Sequence, residues 1–269
     1  MVFNSKKTKR MKIVIIGAGN VATHIGKALQ KAGHLILQIF SSTEHSASIL
    51  ASSLNTGFTT EITQINQSAD LYIYAVKDSV LEELTARIQI PAAIHAHTSG
   101  SVSVNIFKGK TPRYGVLYPL QTFSKSRDIN FSEVPVFIES SDSVTTRILT
   151  GVAQSISPNV HTINSDQRLR LHISAVFACN FTNLMYVFSE KLIAESGLDF
   201  DILKPLVKET AEKVMHITPN AAQTGPAVRY DRNVIDKHLK MLENDPELSE
   251  IYKKLSQAIY RNFSSTQKV

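Results

Sequence analysis

Two glycines and one small residue near the start of the chain have the types and spacing of a phosphate-binding turn. Gly17, Gly19 and Ala22 follow the pattern GxGxxA. The first glycine permits a tight turn, the second lets a pyrophosphate approach the backbone, and the small third residue lets a helix pack closely on a strand. The N–H groups of Asn20 and Val21, at the start of that helix, would bind the phosphates. The alternative is a glycine turn with a purely structural role.

A second stretch bears on which dinucleotide would bind. An NAD site usually ends the second strand of such a unit with Asp or Glu, which binds the ribose 2′-hydroxyl. This chain has three hydroxyl residues there instead, Ser41, Ser42 and Thr43. No carboxylate at this point repels a 2′-phosphate, and three hydroxyls can donate to one. Since the loop has no arginine, Lys77 or His45 is the candidate for the missing positive charge, and we expect NADP rather than NAD.

A predicted helix in the second half of the chain carries a polar stripe on an otherwise apolar surface. At about 100° per residue, Arg168, His172, Cys179 and Asn183 fall within about 60° of one another, and Asn180 lies about 80° from His172. Buried imidazole and amide groups need hydrogen-bond partners. The stripe is structural if these groups bind one another. If they bind a substrate, the catalytic candidates are His172, Asn180 and Asn183, with the histidine relaying a proton.

Four residues are candidates for substrate binding: Gln121, Thr122, Thr224 and Arg229. The first two follow a predicted strand end. The other two belong to a loop in which Gly-Pro fixes a turn. Arg229 could bind a substrate carboxylate with two parallel hydrogen bonds, or it could form a salt bridge with Asp231 or Asp236.

Two kinds of architecture must position these residues. Up to about residue 163, short apolar strands alternate with amphipathic helices, beginning with Lys12–Ile16 and Asn20–Ala32. This alternation predicts an α/β fold with a doubly wound, Rossmann-type parallel sheet. From Ser165 onward the pattern predicts an all-helical C-terminal domain. We expect residues 1–10 to be a disordered basic leader, 11–164 an NADP-binding domain, and 165–269 a substrate and dimerisation domain.

Composition argues against several functional classes. The net charge of the 269 residues is +6, and four of those charges lie in the leader, at Lys6, Lys7, Lys9 and Arg10. The body therefore carries only about +2, without a basic stripe or an aromatic platform, and we expect no nucleic-acid binding. No uninterrupted apolar run reaches the ~18 residues of a membrane span, and the leader has no apolar core. We expect a cytoplasmic protein that does not bind membranes.

No metal site is predicted either. The single cysteine, Cys179, can form neither an intrachain disulfide nor a CxxC metal site. His95 and His97 lie two residues apart on a predicted strand and so face the same side, but no third ligand of suitable spacing is evident. The apolar faces of the C-terminal helices exceed what one small domain can cover, which predicts a homodimer through that domain.

Five motifs occur in a specific order along the chain: GAGNVA, AVKDS, HTSGS, YPLQTFS and TGPAVR. Together they resemble a bacterial family, the putative NADP oxidoreductases, which pairs a Rossmann-like domain with a helical C-terminal domain of unknown function. The resemblance covers nearly the whole chain. The N-terminal domain is also similar to deazaflavin-dependent NADP reductases and to pyrroline-5-carboxylate reductase. More distantly, the two-domain plan resembles the β-hydroxyacid dehydrogenases.

The resemblance implies a set of further contacts. The residues implied along the ribose and nicotinamide side of the cofactor are Ala75, Val76 and Lys77, and those implied to face the nicotinamide ring are His97, Thr98 and Ser99. The helical domain of the relatives supplies substrate contacts and a dimer interface. These likenesses imply an oxidoreductase that transfers hydride between NADP(H) and a small carbonyl or imine. The β-hydroxyacid dehydrogenases use a lysine that this helix lacks, so the alternative is a non-catalytic NADP(H)-binding sensor or assembly protein.

Overall fold

An eight-stranded, mostly parallel sheet organises the first part of the chain in the computed structural model, which describes residues 9–264. The strands are β1 Lys12–Ile16, β2 Leu35–Phe40, β3 Gly57–Thr59, β4 Leu71–Tyr74, β5 Ile94–His97, β6 Tyr114–Pro119, β7 Val136–Ser140 and β8 Val160–Thr162. Their order across the sheet is β3-β2-β1-β4-β5-β6-β7-β8, and β7 pairs antiparallel with β6. The predicted doubly wound sheet is confirmed.

Helices cover both faces of this sheet. The helices of the first part are α1 Asn20–Lys31, α2 Glu44–Ser53, α3 Asp78–Arg87 and α4 Ser143–Ile156. Successive strand residues point to opposite faces, so Ile13 and Ile15 of β1 pack with α1, α2 and α4, while Val14 and Ile16 pack with α3. All four side chains are fully buried. This explains why β1 is a continuous apolar run rather than an alternating one.

The rest of the described chain is helical, as predicted. Its helices are α5 Ser165–Ala175, α6 Thr182–Ala194, α7 Lys204–His216, α8 Pro219–Ala222, α9 Pro226–Arg229, α10 Arg232–Met241 and α11 Pro246–Ser264. A capping box begins α5, because the Asn164 side chain accepts the N–H of Gln167 and the Gln167 side chain accepts the N–H of Asn164.

A π-helical turn, Val176–Phe181, joins α5 to α6. The sequence predicts one regular helix here, and the structure corrects that expectation. A π turn bonds residue i to i+5 and so holds more residues per turn than an α-helix. Positions beyond Ala175 are therefore rotated away from the directions that a uniform 100° wheel assigns them. The predicted stripe from Arg168 to Asn183 is not one continuous face.

The chain divides into two compact units within this helical run, one ending at Asn180 and the other beginning at Phe181. The first unit therefore contains the sheet and α5, and the second contains α6 to α11. The run from Ser165 to Ala194 is long and apolar enough to cross a membrane by length and composition alone, which is weak evidence for a span. The domain boundary expected near residue 165, and the roles expected of the two domains, stay predictions.

Candidate functional site

The first glycine of the turn packs directly against the end of β4. Gly17 has φ +118°, and a Cβ built on it would lie 2.3 Å from the carbonyl oxygen of Ala75. Its N–H donates to the carbonyl oxygen of Phe40 at the end of β2, over 2.7 Å. Only glycine adopts this backbone conformation without strain and leaves room for that oxygen. The turn is thereby fixed at the carboxyl ends of the central strands, where doubly wound sheets bind ligands.

The second glycine borders open space at the start of α1. Gly19 is the N-cap residue of α1, and the structure shows no side-chain cap for that helix among the residues it describes. A Cβ on Gly19 would meet no atom within 4 Å. The first-turn N–H groups of a helix bind anions when no side chain satisfies them. This open helix start has the space and the donors that a pyrophosphate requires, so the residues fit the predicted dinucleotide.

The Asn20 side chain is used within the protein. Its Nδ2 donates to the carbonyl oxygen of Phe123 over 2.8 Å, so the backbone N–H of Asn20 is the group left for a phosphate. One turn later, His24 Nε2 lies 2.8 Å from the carbonyl oxygen of Ser124, and the His24 ring stacks on Phe123. These contacts hold the loop after β6 against the first turns of α1. The same loop carries Gln121 and Thr122, which are both exposed.

The three predicted hydroxyl residues follow β2 beside the glycine turn. Ser41 is half-buried and its N–H donates to the carbonyl oxygen of Thr59, whereas Ser42 and Thr43 are exposed. Thr43 is the N-cap residue of α2, but its hydroxyl makes no cap hydrogen bond. Lys77, the N-cap residue of α3, is also exposed. This edge therefore presents hydroxyls and a cation at helix starts.

The segments after β4 and β5 are ordered by hydrogen bonds to the sheet. The Ala75 N–H donates to the carbonyl oxygen of Ile16 over 2.8 Å, and Val76 follows it half-buried. The Thr98 N–H donates to the carbonyl oxygen of Tyr74 over 3.0 Å. The Ser99 hydroxyl accepts the N–H groups of residues 101 and 102, which forms a tight turn. These segments line the same edge as the glycine turn.

His97 is fully buried at the end of β5. Its Nδ1 accepts the N–H of Ser99 over 3.1 Å, and its ring stacks on Phe107. Burial disfavours the charged imidazolium and the nearby Arg168 guanidinium disfavours it further, so the pKa of His97 falls to about 3. The imidazole is therefore neutral near pH 7. Its predicted place beside the nicotinamide ring stays a prediction.

A buried ion pair fixes α5 on the sheet. The Arg168 side chain is 1% exposed and donates to Glu139 on β7 over 3.0 Å, with the Glu139 side chain 13% exposed. The guanidinium also donates twice to the carbonyl oxygen of Val102, over 3.0 and 2.8 Å. Such a cation is tolerated in the interior only because it is paired and hydrogen-bonded. Sequence reasoning placed Arg168 on the polar stripe but did not find Glu139.

One turn after Arg168, His172 meets a tyrosine from the sheet. His172 Nδ1 lies 3.1 Å from the hydroxyl of Tyr118, at the end of β6, and the two rings pack edge to face. A Cβ on Gly100 would lie 2.6 Å from His172 Nδ1 and 2.9 Å from Tyr118 Cζ. The glycine therefore makes room for the pair. Tyr118 and Gly100 lie in the motifs YPLQTFS and HTSGS, which were the available sequence signal for them.

The other predicted site residues are not joined to this pair by the contacts described. Asn180 on the π turn and Asn183 on α6 are exposed. Two more of these residues are exposed in the second unit: Thr224 lies just before the short helix α9, and Arg229 is the last residue of that helix. Asp231, the alternative partner of Arg229, accepts the N–H of Val234 and caps α10. Their catalytic and substrate-binding roles stay predictions.

Comparison with known proteins assigns the chain to a family. Two family models match in succession, a Rossmann-like domain over residues 3–121 and a domain of unknown function, DUF2520, over residues 134–259. The crystal structure of the "putative NADP oxidoreductase BF3122" from Bacteroides fragilis shares 45% identity and a TM-score of 0.90, over 94% of this chain and 98% of that chain. The chain belongs to this oxidoreductase family. The resemblance read from the five motifs is thus confirmed.

Other solved structures share the fold of this family at low identity. A 1-pyrroline-5-carboxylate reductase from Streptococcus pyogenes is 15% identical with a TM-score of 0.62, over 94% of this chain and 99% of that chain. An imine reductase from Myxococcus stipitatus, in complex with NADP⁺, is 12% identical with a TM-score of 0.61, over 96% of this chain and 94% of that chain. The comparison with curated proteins finds no match.

Proposed function

We propose that the protein is an NADP(H)-dependent oxidoreductase acting on a small carbonyl or imine compound. The observation that carries this proposal is the pair of glycines at the start of α1. Gly17 has no room for a side chain, while Gly19 has open space on the side where a Cβ would point. The uncapped helix start beside them suits a diphosphate. Membership of the NADP oxidoreductase family supports the same conclusion.

The chain's own residues would divide the work of binding and chemistry. The N–H groups of α1 would hold the diphosphate, and Ser41, Ser42 and Thr43 would bind a ribose 2′-phosphate. Bound NADPH would supply a hydride, and this is the chemistry that the protein residues themselves lack. His172 would deliver the accompanying proton to the substrate. Asn180, Asn183, Gln121, Thr122, Thr224 and Arg229 stay candidates for orienting the substrate.

Binding can be tested by NADPH and NADH fluorescence titrations of the wild type and of Gly19→Ala. The added methyl group would enter the space of the diphosphate but meet no protein atom, so we expect normal folding and at least about tenfold weaker NADPH binding. Gly57→Ala is the matched control, because a Cβ at that position also meets no atom within 4 Å. Equal NADPH affinity for the three proteins would refute the glycine-turn site. Tighter binding of NADH would refute the NADP preference.

A second candidate function is a non-catalytic NADP(H)-binding sensor or assembly protein. The observation in its favour is the absence of any lysine between Arg168 and Asn183, the stretch expected to supply the acid–base group. Oxidation of NADPH across a panel of imines and keto acids separates the two candidates. Turnover that is reduced in His172→Gln supports the oxidoreductase. NADPH binding without turnover of any panel member supports the sensor.

We further propose a homodimer formed through the helical region. Large apolar side chains lie exposed along α5 and α6, among them Ile173 at 49% and Val187 at 49%. The most apolar stretch of 18 residues between Ser165 and Ala194 contains no buried residue. A second copy of the chain would remove this surface from water. The same surface would suit a lipid bilayer by composition, so the test has to separate these occupants.

Light scattering without detergent should give twice the 29.8 kDa chain mass. We expect Val187→Glu to dissociate the dimer, because it would place a charge within an apolar interface. Val144→Glu is the matched control: Val144 is 51% exposed on α4 of the first unit and should tolerate the change. A monomeric wild type would refute the dimer, and recovery of the wild type with the membrane fraction would favour the lipid occupant.

A further inference from the structure

Tyr118 is a buried ionisable residue to which the proposed function gives no task. It lies near the end of β6, the residue is 8% exposed, and its hydroxyl reaches His172 Nδ1. His172 itself is half-buried. A histidine with one ring nitrogen bonded inside the protein has its proton placed by that bond. The Tyr118 hydroxyl is therefore the group that can decide which nitrogen of His172 carries the proton.

The contact depends on a glycine from a third element. A Cβ on Gly100 would lie 2.6 and 2.7 Å from two atoms of the His172 ring and 2.9 Å from Tyr118 Cζ. These distances are shorter than van der Waals contact, and the Tyr118 ring is packed on its other sides. Leu171 packs with Tyr118 in a small apolar cluster, and the Phe137 ring lies 6.4 Å from Tyr118 between centroids. Any side chain at position 100 would separate the pair.

A buried positive charge lies close to the same tyrosine. Two groups of α5 act on Tyr118, the His172 ring and the guanidinium of Arg168. Strand β7 contributes two side chains to these surroundings. Phe137 is uncharged and packs near Tyr118, and the carboxylate of Glu139 is paired with Arg168. Burial raises the pKa of Tyr118, and the Arg168 guanidinium acts in the opposite direction because it stabilises a phenolate. The Arg168 guanidinium thus supports a negative charge on Tyr118 that burial alone would oppose.

We propose that Tyr118 is a positioning residue that fixes the tautomer of His172 and resupplies its proton. In this proposal the Tyr118 hydroxyl, 3.1 Å from Nδ1, donates to that nitrogen, which leaves the proton of the neutral imidazole on Nε2. Nε2 is then the donor toward the substrate. Gly100 provides the space for this pair and Arg168 the positive charge beneath it. The inference rests on the proposed function, because delivery of a proton has a purpose only if a carbonyl or imine is reduced.

The proton movements balance without any further reactant. When hydride adds to the carbon of a C=O or C=N group, the π electron pair moves to the heteroatom, which takes the proton from His172 Nε2. Nδ1 takes the proton of Tyr118 at the same time, so the imidazole stays neutral and a phenolate forms beside Arg168. A proton from solvent then enters at Nε2, and Nδ1 returns its proton to Tyr118. The substrate gains one hydride and one proton, and the protein is regenerated.

Nitrogen-15 NMR of the ligand-free protein tests the tautomer directly. The chain has nine histidines, and His172→Gln identifies the signals of residue 172 by their loss. At a pH where the imidazole is neutral, we expect His172 of the wild type to show a protonated Nε2 and an unprotonated Nδ1. In Tyr118→Phe the two nitrogens should move toward a mixture of tautomers. An unchanged pattern in Tyr118→Phe, or a protonated Nδ1 in the wild type, would overturn the inference.

The second unit offers a matched control for this measurement. His238 Nδ1 lies 2.7 Å from the Tyr252 hydroxyl, which is the same atom pairing with no part in the proposed site. Tyr252→Phe should therefore change the signals of His238 and leave those of His172 unaltered. If Tyr252→Phe moved the His172 signals as much as Tyr118→Phe does, the effect would be general and the assignment to Tyr118 would be wrong.

The role of the positive charge is tested by titrating Tyr118 through its tyrosinate absorbance. The chain has eight tyrosines and no tryptophan, so subtracting the titration of Tyr118→Phe isolates this residue. The double variant Arg168→Met/Glu139→Gln removes the cation without leaving a charge buried alone, and it should move the Tyr118 titration to higher pH. Arg168→Lys keeps the charge and should move it less.

An unshifted titration in both variants would exclude the role of Arg168. The NMR and the titration both use ligand-free protein, so their outcome is independent of NADPH turnover. Either of them can contradict the role of Tyr118 while turnover is observed, and either can support that role while turnover is absent. If NADPH neither bound nor reacted but the His172 tautomer behaved as expected, the proposed function and the resupply of a proton would both fail, and only the fixing of the His172 tautomer by Tyr118 would stand.

Discussion

Removing one partner of the ion pair that docks α5 should destabilise the protein more than breaking any other ion pair described. In Glu139→Gln, the Arg168 guanidinium would keep its hydrogen bonds to Val102 but lose the carboxylate it pairs with directly, while its side chain is only 1% exposed. Removing one partner of a buried pair typically costs about 3–5 kcal/mol, because the other charge is left uncompensated in the interior. The Glu139 side chain is 13% exposed, so we expect the lower end of that range, about 3 kcal/mol.

The matched control is Glu83→Gln, which breaks the pair between Arg87 and Glu83 on α3. Those side chains are 57% and 63% exposed, and an exposed i,i+4 pair contributes about 0.3–0.5 kcal/mol. The measurement is thermal unfolding followed by circular dichroism, with a urea titration at fixed temperature. For a unit of this size, 3 kcal/mol corresponds to a fall in Tm of about 6–12 °C. We expect Glu83→Gln to change Tm by less than about 2 °C.

The double variant Arg168→Met/Glu139→Gln sharpens the test. Replacing a buried pair with uncharged side chains is often nearly neutral, since no charge remains to be desolvated. We therefore expect the double variant to be more stable than Glu139→Gln alone. The reasoning would be refuted if Glu139→Gln and Glu83→Gln lowered Tm equally, or if the double variant were less stable than the single one.

Three further changes test other parts of the structure. Gly17→Ala should destabilise the protein by more than Gly33→Ala, as measured by urea unfolding. Both glycines have positive φ, which alone costs another residue about 1–2 kcal/mol, but only at residue 17 would the Cβ also meet a backbone oxygen. Equal losses would contradict the close approach. Gly100→Ala should alter the His172 signals in NMR, because the methyl group separates His172 from Tyr118; unaltered signals would contradict that contact. Asp142 caps α4, and its hydrogen bonds hold its pKa at about 2, below the ordinary 3.8. Its contribution to the stability of the folded state is therefore complete above pH 3.8 and is lost as the pH falls toward 2. Asp142→Ala should cost about 1 kcal/mol near neutral pH and progressively less toward pH 2, in acid-dependent unfolding curves; a constant difference would contradict it.

The fold and the glycine turn were readable from the sequence because their signals are local. Alternating strands and helices, the spacing of Gly17, Gly19 and Ala22, and the hydroxyls after β2 each lie within a few residues of one another. Local spacing is set by the backbone geometry of each element. The same reasoning failed at Val176–Phe181, because a π turn replaces a regular helix without a compositional mark that separates it from its neighbours.

The sequence alone thus determined the alternating strands and helices of the sheet region and the position of the glycine turn. Only the tertiary structure decided what surrounds the candidate proton donor. His172 and Tyr118 lie 54 positions apart, and their contact requires Gly100 from another strand end and the pairing of Arg168 with Glu139 on β7. Such contacts depend on how strands order themselves in the sheet and how a helix packs across their ends, and no periodicity along the chain records that arrangement.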